Sequence, residues 1–218
     1  MEVPLALIVL AALLTMNTQE PFFGQFGEVE WVVKNLPLPG CGYFVEVGAC
    51  DGVELSNTCY FERTMGWKGL LVEPDPRSVS KILRQRTCLL DTRAAGRRAG
   101  TASFGLHSDP AWSGIDRPVP GGTRLDVVVA SLTQILLDHS APPVIDLLSI
   151  DTEGTELDVW AGLDKSLFRP TIVIVEFDTA ELKRDPAGVA AAFEADGYVL
   201  RHTTRINHIF TYAHGPAG

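Results

Sequence analysis

The sequence predicts a doubly wound α/β domain built on a mostly parallel sheet. Three observations lead there. Short β-rich apolar runs alternate with segments of helical periodicity, which calls for parallel strands joined by right-handed crossovers. The first such run, YFVEV (43–47), ends in the glycine-rich turn GACDG. The run TIVIVEF (171–177) is apolar almost throughout, as expected of a strand covered on both faces. With 218 residues, 46% of them apolar and 21% charged, the chain suits one domain with a full core.

The elements follow in order. Phe26, Val29, Val32 and Val33 fall at helical spacing within 24–35, and Pro37 and Pro39 end that helix. After the first strand, Leu55 and Cys59, then Phe61 and Met65, pair at i,i+4. They predict a helix that opens at the glycine turn and stops at Gly66. GLLVE (69–73) is the second strand, closed by Pro74 and Pro76. Residues 77–86 read as a helix and 87–90 as a third strand. The middle is looser. Residues 101–105 read as an added strand, and 107–123, rich in Gly, Pro, Ser and Asp, as a mobile loop. Residues 126–130 read as a strand and 132–138 as a helix. The regular pattern returns with the strand VIDLLSI (144–150) and a helix over 155–163 with Leu157, Trp160 and Ala161 inward. The strand at 171–177 follows. Asp185 then caps a helix with Pro186 at its first position and Val189 and Phe193 facing the core. Residues 198–202 and 208–212 end the chain as an antiparallel pair about a short turn.

The formal net charge is −9. An acidic chain of this size repels polyphosphate, which argues against a nucleic-acid partner. Cys41, Cys50, Cys59 and Cys88 form no C-x-x-C pair and so no zinc signature. They read as reduced thiols, giving a cytoplasmic expectation. Residues 1–20 stand apart from a domain over 21–218. The stretch 3–14 is apolar apart from Pro4, too short to span a bilayer, and preceded by Glu2 rather than by a basic residue. It reads as a docked helix or as an extension ahead of a translation start near Met16. The alternative is membrane association through this segment.

Three motifs carry chemistry. In FVEVGACDG (44–52) a buried strand ends in an acid and a glycine turn. Ligands of open α/β sheets bind at such carboxyl ends. Gly48 and Gly52 would let the backbone approach a ligand, but they are four apart and lack the third glycine of a dinucleotide fingerprint. Glu46 in the strand is expensive to bury unless it is satisfied, and Asp51 lies in the turn. Glu73, past the second strand, stands where an acid accepts from ribose hydroxyls. In IDLLSIDTEGTELDV (145–159), Asp151 sits just beyond a buried strand, pointing into the ligand crevice. Glu153 and Glu156 near the next helix read more simply as complements to its dipole.

These segments resemble the FkbM family of methyltransferases. The matching stretches are GYFVEVGACDGVELSNT, GWKGLLVEPDP, IDLLSIDTEGTELDV, RPTIVIVEF and the closing GYVLRHTTRINHIF. The resemblance implies the class I methyltransferase fold, a Rossmann-like seven-stranded sheet whose last strand runs antiparallel. It implies S-adenosyl-L-methionine as methyl donor and a hydroxyl acceptor on a sugar, glycan or secondary metabolite. By the same resemblance Glu46, Gly48, Ala49 and Gly52 line the methionine end, Glu73 holds the ribose, and Asp91 lies near the adenine. Asn57 matches a characteristic position without an assigned role. The stretch 93–101 departs from the pattern, which leaves the adenine side least defined.

Methyl transfer to a hydroxyl gains from alignment and from a base. Asp151 is the first candidate base, followed by Glu153 and by His107 in the middle loop, where Trp112 could stack on a sugar. Asp151 also counts among the donor-site residues. No metal site is assigned, although Asp151, Glu153 and Glu176 could gather at adjoining strand ends. Two rival readings are a nucleotide-cofactor oxidoreductase on a related fold and a non-catalytic binding module.

Overall fold

A computed structural model describes residue 22, residues 24–177 and residues 185–213. The readings of residues 1–20 lie outside the described residues. The elements are α1 (Glu28–Asn35), β1 (Tyr43–Val47), α2 (Cys59–Arg63), β2 (Lys68–Val72), α3 (Pro76–Gln85), β3 (Leu89–Asp91), β4 (Ala94–Gly96), β5 (Gly100–Leu106), β6 (Gly114–Ile115), β7 (Thr123–Ser131), α4 (Leu132–Asp138), β8 (Val144–Ile150), α5 (Glu156–Ala161), β9 (Arg169–Glu176), α6 (Pro186–Ala195), β10 (Tyr198–Thr203) and β11 (Asn207–Tyr212).

Seven strands form the main sheet in the order β10-β11-β9-β8-β1-β2-β3. The five from β9 to β3 pair in parallel. The final strand β11 inserts between β9 and β10 and runs antiparallel to both. This is the doubly wound, mostly parallel sheet that the strand–helix alternation predicts. Helices cover both faces. On one, Val45, Val47, Leu148, Ile150 and Val173 pack with Leu132, Ile135, Trp160 and Phe193. On the other, Phe44, Leu71, Leu147 and Ile174 pack with Val29, Val32, Phe61 and Ile82. Side-chain oxygens start three helices: Asp185 accepts from Ala187 N–H as the sequence indicates, and Asp75 and Ser131 accept from Arg77 and Gln134 N–H.

Four readings change. The helix after the glycine turn spans only Cys59–Arg63, because Leu55 adopts φ 63 and leaves the chain irregular through 50–58. The first helix starts at Glu28, after Gly27 at φ 85. In α5, Leu157 (40% exposed) and Ala161 face solvent, while Glu156, Val159 and Trp160 are buried. Glu156 sets that rotation. Its carboxylate accepts from Thr152 N–H (2.9 Å), Gly154 N–H (3.1 Å) and the Thr152 hydroxyl (3.1 Å), so it must turn inward.

The expected mobile loop at 107–123 has defined structure, and it belongs to a second sheet of order β4-β7-β5-β6. β7 extends to nine residues and pairs antiparallel with β5 along its length. Pro110–Trp112 forms a 3₁₀ turn capped by Asp109. Arg77 on α3 pins this segment by donating to the His107 carbonyl (2.8 Å) and the Ser113 hydroxyl (3.1 Å). The anchors come from distant residues, which local composition does not register.

Candidate active site

A cavity of about 380 Å³ opens at the carboxyl ends of β1, β2, β8 and β9. That lies within the roughly 300–1,000 Å³ usual for small-molecule sites. Residues 46–50 and 54–57 form one wall, and Glu73 and Pro74 a second. The second sheet supplies the roof through Ala94, Ala95, Phe104, Ile115 and residues 109–113. Gln25, Phe26, Arg205 and Ile206 stand at the far side.

Glycine at position 48 is dictated by the sheet rather than by a ligand. Its φ is +82, and a Cβ there would lie 1.6 Å from the Asp151 carbonyl oxygen. The β1 backbone passes directly against the crest of β8, where Asp151 N–H donates to the Val47 carbonyl (2.9 Å). This contact holds Asp151 at the cavity.

Glu73 is 5% exposed. It accepts from Cys50 N–H and Asp75 N–H, both at 2.8 Å. Burial pushes its carboxyl up to about 8 despite those two bonds. Burial and the nearby Glu73 charge push the Cys50 thiol up to about 12. All four cysteines are free thiols.

Glu46 is also buried, and its carboxylate is already engaged. It accepts from the Ser56 hydroxyl (2.8 Å), Asn57 N–H (2.8 Å) and the Thr58 hydroxyl (2.7 Å). Burial raises its pKa, opposed by the guanidinium of Arg86 3.8 Å away and by these hydrogen bonds. Arg86 donates in turn to the Gly52 carbonyl (2.5 Å), to the Ser56 and Thr58 hydroxyls, and to Glu62.

A model of the FkbM methyltransferase domain matches residues 46–200. The chain belongs to the FkbM methyltransferase family. Among solved structures it resembles an FkbM methyltransferase from Methylobacillus flagellatus KT, at 16% identity and TM-score 0.50, over 82% of this chain and 45% of that one. The chain thus spans about half the length of that protein. A precorrin-6y C5,15-methyltransferase from Geobacter metallireducens GS-15 aligns at 11% identity and TM-score 0.45, over 84% of this chain and 86% of that one. At 16% identity the likeness to the Methylobacillus protein is one of fold alone. No curated protein matches the chain.

In this FkbM chain the cavity gathers most of the candidate residues. Glu46, Gly48, Ala49, Asn57, Glu73, Asp151 and Glu153 all line it. Asp51, Gly52, Asp91 and His107 are not among its lining residues. Asp51 instead closes a turn, accepting from Val53 and Glu54 N–H at 2.9 Å each. A Cβ on Gly52 would meet the Arg86 and Ile82 side chains, so that glycine serves packing. Asp91 is bridged by Arg93 (2.6 Å) and His139 (3.0 Å), and apolar Ala94, Ala95 and Phe104 face the cavity beyond it. The carbonyl of His107 accepts from Arg77, and its Nδ1 accepts from Asp109 N–H (3.1 Å).

Asp151, Glu153 and Glu176 each place one carboxylate oxygen within 4.8 Å of the others. Arg117 bonds Glu153 at 2.6 Å and stands 5.4 Å over the Trp112 ring. It thereby ties the roof to the turn after β8. The sequence reading missed Arg77, Arg86 and Arg117. Each arises from a segment with no motif, and only the fold brings its partners within reach. Among the lining residues seven are carboxylates, namely Glu46, Glu54, Glu73, Asp109, Asp151, Glu153 and Glu176, against one arginine, Arg205.

Proposed function

We propose that the chain is an S-adenosyl-L-methionine-dependent O-methyltransferase acting on a hydroxyl of a sugar, glycan or secondary metabolite. The observation that carries this reading is the charge of the cavity. Seven acidic side chains against one arginine favour a ligand bearing a sulfonium and an ammonium, even with Glu46 and Glu153 partnered by Arg86 and Arg117 and with the Glu73 carboxyl pushed up to about 8. The same field opposes the pyrophosphate of a dinucleotide, which weighs against the oxidoreductase alternative. Glu73 adds a second fit, since its carboxylate retains acceptor capacity for ribose hydroxyls beyond the two backbone bonds. Pro74, Ala94, Ala95 and Phe104 offer apolar surface beside it for a flat base.

S-adenosyl-L-methionine, when bound, would supply an electrophilic methyl group: the acceptor oxygen attacks the methyl carbon in line with the C–S bond, which breaks and releases neutral S-adenosylhomocysteine. The residues of the chain align the partners and manage the proton. Asp151, fixed through its backbone to Val47, is the proposed base for the acceptor hydroxyl. Glu153 is held by Arg117, which fixes its carboxylate at the cavity, where a second hydroxyl of the acceptor can donate to it. Trp112 lines the roof near Asp109 and Glu153, an aromatic face beside carboxylates that suits a polyhydroxylated ring. His107, outside the cavity lining, is left with no step in this scheme.

Calorimetry with S-adenosyl-L-methionine, its demethylated product and NAD tests the reading. The first two are expected to bind and NAD not. Clear NAD binding, with no heat from the other two, would overturn it. A screen of glycan and natural-product alcohols then identifies the acceptor.

A further inference from the structure

We propose that the Asn57 side-chain oxygen receives the α-ammonium of the donor's amino-acid end, and that Glu46 positions Asn57 without itself touching the donor. The inference rests on the donor assignment above and gives each residue a distinct role at that site.

Asn57 is 7% exposed and lines the cavity. Its Nδ2 donates to the Ser149 hydroxyl at 3.1 Å, which fixes the amide plane. Its Oδ1 is buried and has no hydrogen-bond partner among the described residues. A buried amide oxygen without a donor is costly and calls for a partner that is absent from the protein itself. A cation suits the position. A Cβ built on Gly24 lies 3.0 Å from Asn57 Oδ1 and equally 3.0 Å from Glu28 Oε2, so a carboxylate adds its field to the same corner.

Topology assigns this corner to one end of the donor. Glu46 on β1 pairs in register with Ser149 on β8, which pairs with Ile174 on β9. Asn57 is bound to the first and second of these. Glu73 lies past β2, on the other side of β1. A donor with its ribose at Glu73 and its base toward Phe104 therefore directs its amino acid toward Asn57 and Ser149. Glu46 is poorly available for the ammonium. Its two oxygens already accept three hydrogen bonds from residues 56–58, one of them from the Asn57 backbone.

The test compares two product-like ligands by calorimetry on the full chain. S-adenosylhomocysteine carries the amino-acid end, and 5′-methylthioadenosine lacks it. Asn57→Ala is expected to weaken S-adenosylhomocysteine by roughly tenfold or more, the scale of one hydrogen bond to a charged group. Binding of 5′-methylthioadenosine is expected to stay within about twofold of wild type on the same scale. Asn57→Asp, which keeps an acceptor oxygen of the same shape, is expected to retain S-adenosylhomocysteine binding. Adding Glu46→Gln to Asn57→Ala should give no further loss specific to S-adenosylhomocysteine, because a positioning residue acts through the group already removed.

Equal weakening of both ligands by Asn57→Ala would overturn the assignment and mark Asn57 as a structural residue. A further selective loss on adding Glu46→Gln would return the ammonium to Glu46. A wild-type chain that binds neither ligand would overturn the donor reading itself, an outcome distinct from both.

Discussion

The two walls of the cavity are held in different ways. The wall at 50–58 is irregular, with an isolated β-bridge from Leu55 to Gly24, and its anchors are buried ionic groups. Arg86 and Glu46 reach it from α3 and β1 and satisfy the Ser56 and Thr58 hydroxyls, the Gly52 carbonyl and the Asn57 N–H. The roof at 107–119 is tied by Arg77, half-exposed on its side chain (38%), and by Arg117, buried at 6% against Glu153. Buried charges lose much when one partner goes, while exposed pairs are screened and contribute little. The comparison sets a proposed donor wall held wholly by buried charges against a proposed acceptor roof that shares its load between one buried and one half-exposed arginine.

The largest effect is expected from Arg86→Met, which leaves Glu46 and Glu62 buried without their cation. Removing one partner of such a network costs about 3–5 kcal/mol, to be read from urea unfolding. Glu62 shows how strongly the network holds. Burial pushes its carboxyl up, but hydrogen bonds from Thr87 and Arg86 and the guanidinium charge outweigh this and hold it at about 2. A loss below about 1 kcal/mol, the scale of an exposed pair, would erase the distinction between the walls.

Next is Asp151→Asn at the seam between them. Loss of a base costs on the order of 10²–10⁴ in turnover, while the donor dissociation constant should hold. Donor binding abolished with turnover unchanged at saturation would make Asp151 a donor ligand instead.

Glu73→Ala is expected to raise the donor dissociation constant by at least about tenfold, since charge-assisted bonds contribute roughly 1.5–3 kcal/mol. A pH dependence follows from its carboxyl standing near 8. Ribose hydroxyls favour the ionised form, so affinity should rise as pH climbs toward about 8 and level off above it. Glu73→Gln should flatten that profile. The sign for folding is opposite. A carboxyl raised from 4.5 to about 8 binds protons more readily in the native state, so the unliganded fold loses stability as pH rises through that window. Melting temperature against pH, with and without donor, separates the two.

The smallest stability effect is expected from Trp112→Ala on the roof. The ring is 37% exposed with Arg117 5.4 Å away, a contact of about 0.5–1 kcal/mol at such sites. Thermal melts should move little and donor binding not at all. The change should appear in the KM of whatever alcohol the screen identifies. A weaker donor would show that the roof belongs to the donor site.

Sequence pattern alone reached the order of the main-sheet strands along the chain, the Asp185 helix start, and the placement of Glu46, Glu73 and Asp151 at strand ends. Each of these depends on neighbours within a few residues: an apolar run, a glycine turn, an acid after a strand. The second sheet and the roles of Asp91 and His107 were decided by tertiary structure, whereas Asp51 is spent on a local turn with Val53 and Glu54. Arg77, Arg86 and Arg117 find partners 24 to 36 residues away, and Asp91 meets His139 across 48. A charged side chain shows its type in the sequence but not its partner. Only the folded chain decides which acids are spent on holding the walls and which remain to face the cavity.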